Sequence, residues 1–275
     1  MIISQMEKPP FRFLARMLCI VTLLMALFTG SALLAGKGAY AASIQGRQGV
    51  TAPRVSGASG ALTGPHSAAT TPGAQVITGG RTDLPWVALT FDDGPNPTYT
   101  PQILQVLAAN NAHATFFEIG QLVQSNPGLA RLVVQNGNVI GNHTWDHPSL
   151  TTLTPAAQAS ELIRASTAIE NVTGMTPTLF RPPYGATNAQ VEAVAAAQQM
   201  ATVLWSVDTA DWQLPGVQRI VTAALNGAHN GSIIMMHDGG GNRSQTVAAL
   251  SQIIKGLQAR GYALVTVPEL VSGTL

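Results

Sequence analysis

The feature that most constrains the fold is a regular alternation of short apolar runs with segments of helical periodicity, between residue 83 and the C-terminus. Seven apolar runs occupy residues 86–91, 114–120, 138–143, 179–185, 201–207, 232–237 and 262–267. Helix candidates lie between them, near residues 100–110, 121–135, 154–172, 188–199, 215–228 and 243–260. Strands that alternate with helices form parallel sheets. The sequence therefore predicts an α/β fold, a distorted (β/α) barrel with about seven parallel strands.

The N-terminal part of the chain has a different texture and predicts no packed core. Three basic residues precede an uncharged stretch at 17–36, and Ala39-Tyr40-Ala41 follows it, which is typical of a signal peptide. The apolar stretch is also long enough to stay in a membrane as an anchor. Residues 42–82 are small and polar and predict a flexible linker. We therefore expect segments at 1–41 and 42–82, followed by a catalytic domain at 83–275.

Charge and cysteine content exclude several classes of function. The formal net charge is +1, without a Lys/Arg-rich run, so we expect no nucleic-acid partner. The single cysteine, Cys19, lies in the predicted export segment. A processed chain would therefore contain neither a disulfide nor a cysteine-ligated metal. We expect an exported protein, secreted or associated with the cell wall, which contacts a membrane only through residues 17–36 if they are not cleaved.

Two strand ends carry side chains that suit a metal ion. Asp92 and Asp93 follow the first apolar run, and adjacent carboxylates raise each other's pKa unless a cation or a strong donor is near. His143 and His147 follow the third run at a spacing that lets two imidazoles share a metal. A solvated Asp-Asp-Gly-Pro turn and an incidental histidine pair are the alternatives. Together, Asp93 and the two histidines make a three-ligand set with an open position, as catalytic sites have.

Two further strand ends carry residues suited to acid–base chemistry. Arg181 precedes two prolines that hold its guanidinium and the Tyr184 backbone N–H in fixed directions. A buried arginine there needs an acidic partner, and Asp92 is available, although a surface salt bridge is the alternative. His237 ends the sixth run with an aspartate nearby, an arrangement that holds an imidazolium proton donor. The alternative is a structural histidine bonded to a carbonyl.

Five motifs in order carry a family resemblance. TFDDG (90–94), HTWDH (143–147), RPPYG (181–185), DTADW (208–212) and MMHD (235–238) resemble the motifs of the polysaccharide deacetylase family with the NodB homology domain, carbohydrate esterase family 4. The likeness covers about residues 84–270. One departure is Met235, where the family prefers leucine; the two side chains have similar volumes, so we expect only a slightly reshaped acetyl pocket.

The resemblance implies a role for each matching residue. Asp93, His143 and His147 would hold a divalent metal, usually zinc, with cobalt or another divalent ion as alternatives. Asp92 would be the general base, oriented by Arg181. His237 would be the general acid, oriented by Asp211. Trp212 and Met235 would line the substrate pocket with Tyr184, whose N–H would face the oxyanion; no role follows for Asp208.

The implied activity is hydrolysis of N-acetyl groups on N-acetylglucosamine-type units of a polysaccharide, with release of acetate. Peptidoglycan is the first candidate substrate and chitin oligomers are the second. An O-acetyl esterase of the xylan type is one alternative. A catalytically inactive sugar-binding relative is another, although such relatives usually lack a motif Asp or His and none is missing here. We expect a monomer.

Overall fold

The structure is a computed structural model that describes residues 74–275. The predicted signal peptide or anchor at 1–41, including residues 17–36, and the linker up to residue 73 lie outside the described residues. In the described range, no helix combines the length and the apolar character needed to cross a membrane.

Nine strands and eight α-helices make up this part of the chain. The strands are β1 (Val76–Ile77), β2 (Trp86–Gly94), β3 (Thr115–Glu118), β4 (Val139–Asn142), β5 (Leu179–Phe180), β6 (Ala201–Val203), β7 (Val207–Asp208), β8 (Ser232–His237) and β9 (Ala263–Val265). The helices are α1 (Thr100–Ala109), α2 (Gly120–Ser125), α3 (Pro127–Gln135), α4 (Pro155–Thr173), α5 (Ala189–Ala197), α6 (Val217–Gly227), α7 (Ser244–Ala259) and α8 (Val267–Ser272).

All strand pairs are parallel, and their order shows how the sheet closes. The order is β1-β6-β5-β4-β3-β2-β8-β7, with β9 also paired to β2. β6 and β7 come from one short segment but lie near opposite ends of that order. The Leu204 N–H donates to Ile77 O at one end, and the Ser206 N–H donates to Ile233 O at the other. The sheet must therefore curl round to this segment, which confirms the predicted distorted (β/α) barrel.

The strand count and the start of the barrel differ from the sequence prediction. The predicted run at 201–207 is divided into β6 and β7, because residues 204–206 leave the strand while crossing the closure. β1 begins before residue 83, the predicted domain start, because Val76 and Ile77 pair with Thr202 and Val203. Residues 76–82 are thus not all linker. Two apolar residues in a small, polar context gave too short a pattern to predict a strand.

The helices follow the predicted segments with two exceptions. Residues 121–135 form two helices because Pro127, which has no N–H, starts a new one after Asn126. α8 was not predicted; it begins with a capping box between Thr266 and Glu269. Thr154, the predicted helix start, accepts a hydrogen bond from the Ala157 N–H as the N-cap of α4.

Packing around β2 determines where the site can lie. Val87, Leu89 and Phe91 join the large core shared with the helices, whereas Ala88 joins a second core with residues of β6 and β8. This alternation is expected of a strand that is buried on both faces. Polar residues begin at Thr90, toward the carboxyl end of the strand. Functional side chains are therefore confined to the end where parallel barrels place their sites.

Candidate active site

A cavity of about 510 Å³ opens at the carboxyl ends of the strands. Eight of the ten predicted site residues line it: Asp92, Asp93, His143, His147, Tyr184, Trp212, Met235 and His237. The other two, Arg181 and Asp211, are fully buried and contact Asp92 and His237. The structure thus brings every predicted site residue to one place, while their individual roles stay predictions.

The backbone at the end of β2 makes the carboxylate pair usable. Successive residues of a regular strand point to opposite faces. Asp93 departs from that geometry with a φ of 72°, and the register with β3 shifts between Asp92 and Gly94. Both carboxylates therefore face the same cavity. A non-glycine residue in the left-handed region is strained, and such strain is common at functional sites.

Asp93, His143 and His147 converge on one point. Asp93 Oδ1 lies 3.3 Å from His143 Nε2 and 3.1 Å from His147 Nε2. The three potential ligand atoms all lie within 4.8 Å of one another. A zinc ion bound tetrahedrally to nitrogen and oxygen at about 2.0–2.1 Å would separate its ligand atoms by about 3.3 Å. The spacing therefore suits one small divalent ion.

The state of Asp93 also fits a metal ligand. Its Oδ1 is buried and has no hydrogen-bond partner, although both imidazoles are near. Burial favours the neutral acid, but His143 and His147 outweigh that effect and hold the pKa of Asp93 well below its usual range. A buried carboxylate oxygen without a donor is costly unless a cation satisfies it.

His143 is oriented by a hydrogen bond on the far side of its ring. Its Nδ1 lies 2.7 Å from the Arg181 carbonyl oxygen, which can only accept, so Nδ1 carries the proton. Nε2 is then left with a free lone pair toward Asp93 and His147. This arrangement fixes the tautomer that metal ligation requires.

The turn from His143 to His147 is held from α4. Glu161 Oε2 accepts hydrogen bonds from the Trp145 N–H at 3.0 Å and from the Asp146 N–H at 3.2 Å. Thr144 and His147 have φ values of 67° and 66°, so the turn is strained on both sides of this anchor. Glu161 therefore places His147 beside His143, a function that the motif pattern did not reveal.

Arg181 fixes the carboxylate that is not in the ligand set. Its Nη1 donates to Asp92 Oδ1 at 2.7 Å and to Thr90 Oγ1 at 2.8 Å. Its Nε and Nη2 donate to the carbonyls of Val203 and Leu204. Burial lowers the pKa of Arg181 and the adjacent Asp92 opposes that shift. The expected Arg181–Asp92 pair is present and buried.

His237 and Asp211 form the second charged pair. His237 Nδ1 donates to Asp211 Oδ1 at 2.8 Å, and the His237 backbone N–H donates to Asp211 Oδ2 at 2.9 Å. The Thr246 hydroxyl donates to the same Oδ2 at 2.7 Å. Burial lowers the pKa of His237, but Asp211 outweighs it, so the pKa is raised above its ordinary value. His237 is thereby suited to hold a proton near neutral pH.

The cavity walls are aromatic and partly exposed. Tyr184 is 71% exposed, with its ring 4.7 Å from that of His147, and Trp212 is 50% exposed. Met235 lies at the cavity with 4% exposure. Trp205 is half-buried and lines the cavity as well. Asp208 also lines it, with its carboxylate accepting a hydrogen bond from the Ala210 N–H.

Two buried carboxyl groups near this end of β2, Glu118 and Asp238, were not predicted as part of the site. Glu118 is fully buried, neither of its oxygens has a partner, and burial raises its pKa well above the usual range. Burial likewise raises the pKa of Asp238 to about 7, while the Thr100 hydroxyl donates to it. Both groups can stay neutral beside the charged aspartates. Only the position of Glu118 after two core phenylalanines hinted at its burial.

Comparison with known proteins agrees with the motifs and the geometry. A sequence profile of the family described as polysaccharide deacetylase matches residues 79–203. A peptidoglycan-N-acetylglucosamine deacetylase of Bacillus cereus is 44% identical over 187 residues, which are 67% of this chain and 87% of that protein. A chitooligosaccharide deacetylase of Bradyrhizobium is 42% identical, over 67% of this chain and 90% of that protein.

A solved structure shares the fold as well. The crystal structure of a peptidoglycan N-acetylglucosamine deacetylase in complex with a naphthalenyl N-oxidanyl-benzamide superposes with a TM-score of 0.70 at 34% identity. The match covers 74% of this chain and 94% of that one. The family resemblance stated from the five motifs is thus confirmed by sequence and by fold. The chain belongs to the polysaccharide deacetylase family.

Proposed function

We propose that this protein is a metal-dependent N-deacetylase that hydrolyses the acetamide of N-acetylglucosamine-type units in a polysaccharide and releases acetate. One observation carries the proposal. A three-ligand set of Asp93, His143 and His147 shares a cavity with Asp92, which Arg181 holds outside that set, and with His237. Amide hydrolysis needs these groups together: an activated water, a base and an acid for the leaving amine.

The metal is proposed to be zinc, with cobalt or another divalent ion as alternatives. Two imidazoles and one carboxylate are a usual catalytic zinc set with one open position. A divalent ion held there would lower the pKa of water and polarise the acetyl carbonyl. The ligand spacing and the unsatisfied Asp93 Oδ1 support this part of the proposal.

Asp92 is the proposed general base. The hydrogen bond from Arg181 leaves Asp92 Oδ2 as the oxygen that faces substrate, since Oδ1 is engaged. Asp92 takes a proton from the attacking water as the new C–O bond to the acetyl carbon forms. The fixed guanidinium keeps the carboxylate from turning away and offsets its charge in a buried setting.

His237 is the proposed general acid. Its Nδ1 is bound to Asp211, so Nε2 is the nitrogen that donates a proton to the amine as the C–N bond breaks. The Tyr184 backbone N–H is proposed to face the negative charge that develops on the carbonyl oxygen, and such a donor contributes roughly 3–4 kcal/mol. Water and an acetamide are thereby converted to acetate and a free amine.

The substrate proposal rests on the relatives and on the cavity. Relatives named for peptidoglycan and for chitooligosaccharides are 44% and 42% identical to this chain. The exposed rings of Tyr184 and Trp212 flank an open cavity and suit the apolar face of a sugar. We rank peptidoglycan first and chitin oligomers second.

Mass spectrometry of products tests the function directly. Peptidoglycan fragments and chito-oligosaccharides are incubated with the enzyme, with and without a chelator, alongside His143→Ala. We expect loss of acetyl groups and release of acetate, abolished by the chelator and by the substitution, since Asp93 and His147 alone cannot complete the ligand set. Acetate release that is indifferent to both treatments would contradict the proposed centre.

Assays on an ester and an amide substrate distinguish the proposed N-deacetylase from its two alternatives, an O-acetyl esterase and an inactive sugar-binding relative. An alkoxide leaving group needs protonation less than an amine does, so the buried Asp211–His237 pair favours amide over ester hydrolysis. Acetylated xylan and acetylated chito-oligosaccharides are assayed at equal acetyl concentration. Faster ester hydrolysis would support the esterase, and binding of sugar without acetate release would support an inactive relative.

Export and assembly complete the proposal. We propose a monomer that acts outside the cell, either released after cleavage near Ala41 or anchored through residues 17–36, because these residues read as an export signal. Fractionation of expressing cells tests whether the protein is exported. N-terminal sequencing tests cleavage near Ala41, and size-exclusion chromatography tests whether the protein is a monomer.

A further inference from the structure

The loop that follows β8 packs directly against the metal-ligand aspartate. A Cβ atom at Gly239 would lie 1.7 Å from the Asp93 carbonyl oxygen, and one at Gly240 would lie 2.3 Å from Asp93 Oδ2. Gly240 also has a φ of 70°, which disfavours any side chain. The backbone of this loop is therefore the wall against which the Asp93 carboxylate rests.

The loop is itself held by a buried arginine at the start of α7. Arg243 is 4% exposed; its Nε donates to Gly239 O at 2.6 Å and its Nη2 donates to Gly240 O at 3.1 Å. No acidic side chain of residues 74–275 forms an ion pair with Arg243. Its Nη1 also donates to Asn242 O at 3.5 Å. Burying a cation without a paired anion is costly, so its partners are three backbone carbonyls, two of them in this loop, and the acidic cavity that it lines.

Asp93 has little else to fix its carboxylate. Its backbone lies in the strained left-handed region, and its Oδ1 has no hydrogen-bond partner. We infer that Arg243 is a positioning residue that holds the loop 239–241 against Asp93 and so presets the metal site. The inference rests on the proposed metal centre and adds to it a residue that lies outside the five motifs.

Metal affinity is the measurement that tests the inference. Arg243→Met and Arg243→Lys are compared with wild type in the full chain, by competition for zinc with a chromophoric chelator. The matched control is Arg260→Met at the other end of α7, where the arginine also donates to a backbone carbonyl, that of Leu225. We expect Arg243→Met to weaken zinc binding about 10- to 100-fold, as loss of a residue that orients a ligand does.

Two further variants keep the result interpretable if Arg243→Met folds poorly. Arg243→Lys can reach one carbonyl at a time and should give an intermediate affinity. Gly240→Ala disturbs the same wall from its other side and should weaken zinc binding without touching Arg243. With zinc at saturation, kcat of the Arg243 variants should return toward that of wild type, because the residue acts through Asp93 and not on the substrate.

The outcomes separate this inference from the proposed function. If wild type binds no zinc, the proposed metal centre fails and the inference fails with it. If wild type binds zinc and Arg243→Met binds within about twofold of it, the inference alone is overturned, whatever happens to thermal stability. Arg260→Met with an equal loss of zinc affinity would also overturn it, since the effect would then not be specific to the loop.

Discussion

The two halves of strand β2 differ in almost every physical respect. Val87, Ala88 and Leu89 are fully buried, apolar and in regular register with β8. Asp92 and Asp93 at the other end are charged, and there the register with β3 shifts and one φ is positive. The first half lies in the packed barrel, and the second half presents reactive groups. The first half of β2 thus contributes to stability, and the second half carries the residues proposed for chemistry.

The same division holds for the whole barrel. Within residues 74–275, five of the eight non-glycine residues with positive φ lie in the five motifs: Asp93, Thr144, His147, Tyr184 and Ala210. Backbone strain of this kind costs about 1–3 kcal/mol at each position. It persists because packing of the strands and helices below over-determines the loops. We therefore expect substitutions at the strand ends to change function and substitutions in the barrel wall to change stability.

The largest expected effect is on turnover at the strand ends. Asp92→Asn should lower kcat about 10³-fold, because an amide cannot take the proton from water. Zinc affinity should stay close to that of wild type, since Asp92 is not a ligand. Acetate release and chelator competition measure the two quantities.

The control for this change is Asp83→Asn, an exposed carboxylate in the segment before β2. It should change neither quantity. An Asp92→Asn enzyme with nearly full turnover would break the assignment of the base, and one that loses zinc would place Asp92 in the ligand set.

In the barrel wall, Leu89→Ala should lower the free energy of unfolding by about 3 kcal/mol, because a fully buried leucine leaves a cavity. Zinc affinity of the folded protein should not change. Denaturant titration gives the first quantity, and Leu132→Ala, at an exposed position of α3, is the matched control. A Leu89→Ala protein that is as stable as wild type but no longer binds zinc would contradict the expectation that residues of the barrel wall determine stability and not metal binding.

The charged pair at His237 should set the alkaline limb of the pH–rate profile. Asp211 raises the pKa of His237 above 6.5 despite burial, so the acid keeps its proton through that pH and activity falls as pH rises through the raised value. Asp211→Asn should move this limb to lower pH and lower kcat at neutral pH about 100-fold, or ~2.7 kcal/mol. An unmoved limb would show that another group is the acid.

The smallest expected effect is on stability and concerns Glu118, the last residue of β3. Burial raises the pKa of Glu118 in the folded protein, so the carboxyl stays protonated there at a pH where the unfolded chain, with the ordinary pKa of 4.5, has lost the proton. The free energy of unfolding therefore falls as pH rises past 4.5. Glu118→Gln should therefore be more stable than wild type at neutral pH, by on the order of 1 kcal/mol.

The difference should close as pH falls below 4.5, where Glu118 of the wild type is mostly neutral in both the folded and the unfolded state. Urea titrations of the apo protein across this range measure it, with Glu170→Gln on the exposed face of α4 as the control. A Glu118→Gln protein that is less stable than wild type at neutral pH would show that the buried carboxylate is charged and satisfied.

The sequence was sufficient to predict the barrel, and with the family resemblance it named ten residues that the structure brings together, although their roles stay predictions. Strand and helix periods alternate along the chain, and reactive residues such as Asp93 and His147 sit directly after apolar runs. The parallel sheet then gathers those strand ends without further information. A motif residue is therefore located by its position in the run that it terminates.

The residues that support the site were not predictable in this way. Glu161 lies on α4 and Arg243 directly precedes α7. Their hydrogen-bond partners are backbone groups in the turn after β4 and in the glycine loop after β8, so no side-chain pattern marks them. Closure at β6 and β7 likewise depends on two hydrogen bonds that join distant segments. Such contacts follow from the three-dimensional path of the chain and not from local periodicity.

The closing segment between β6 and β7 links closure of the barrel to the orientation of Asp92, the proposed base. The carbonyls of Val203 and Leu204 accept hydrogen bonds from the same Arg181 guanidinium that grips Asp92. A proteolytic cut or an inserted residue at 204–206 would disrupt the hydrogen bonds that close the barrel, and with them the bonds that Val203 and Leu204 accept from Arg181. We expect such damage to impair the proposed proton transfer by Asp92 even while the proposed metal ligands keep their places.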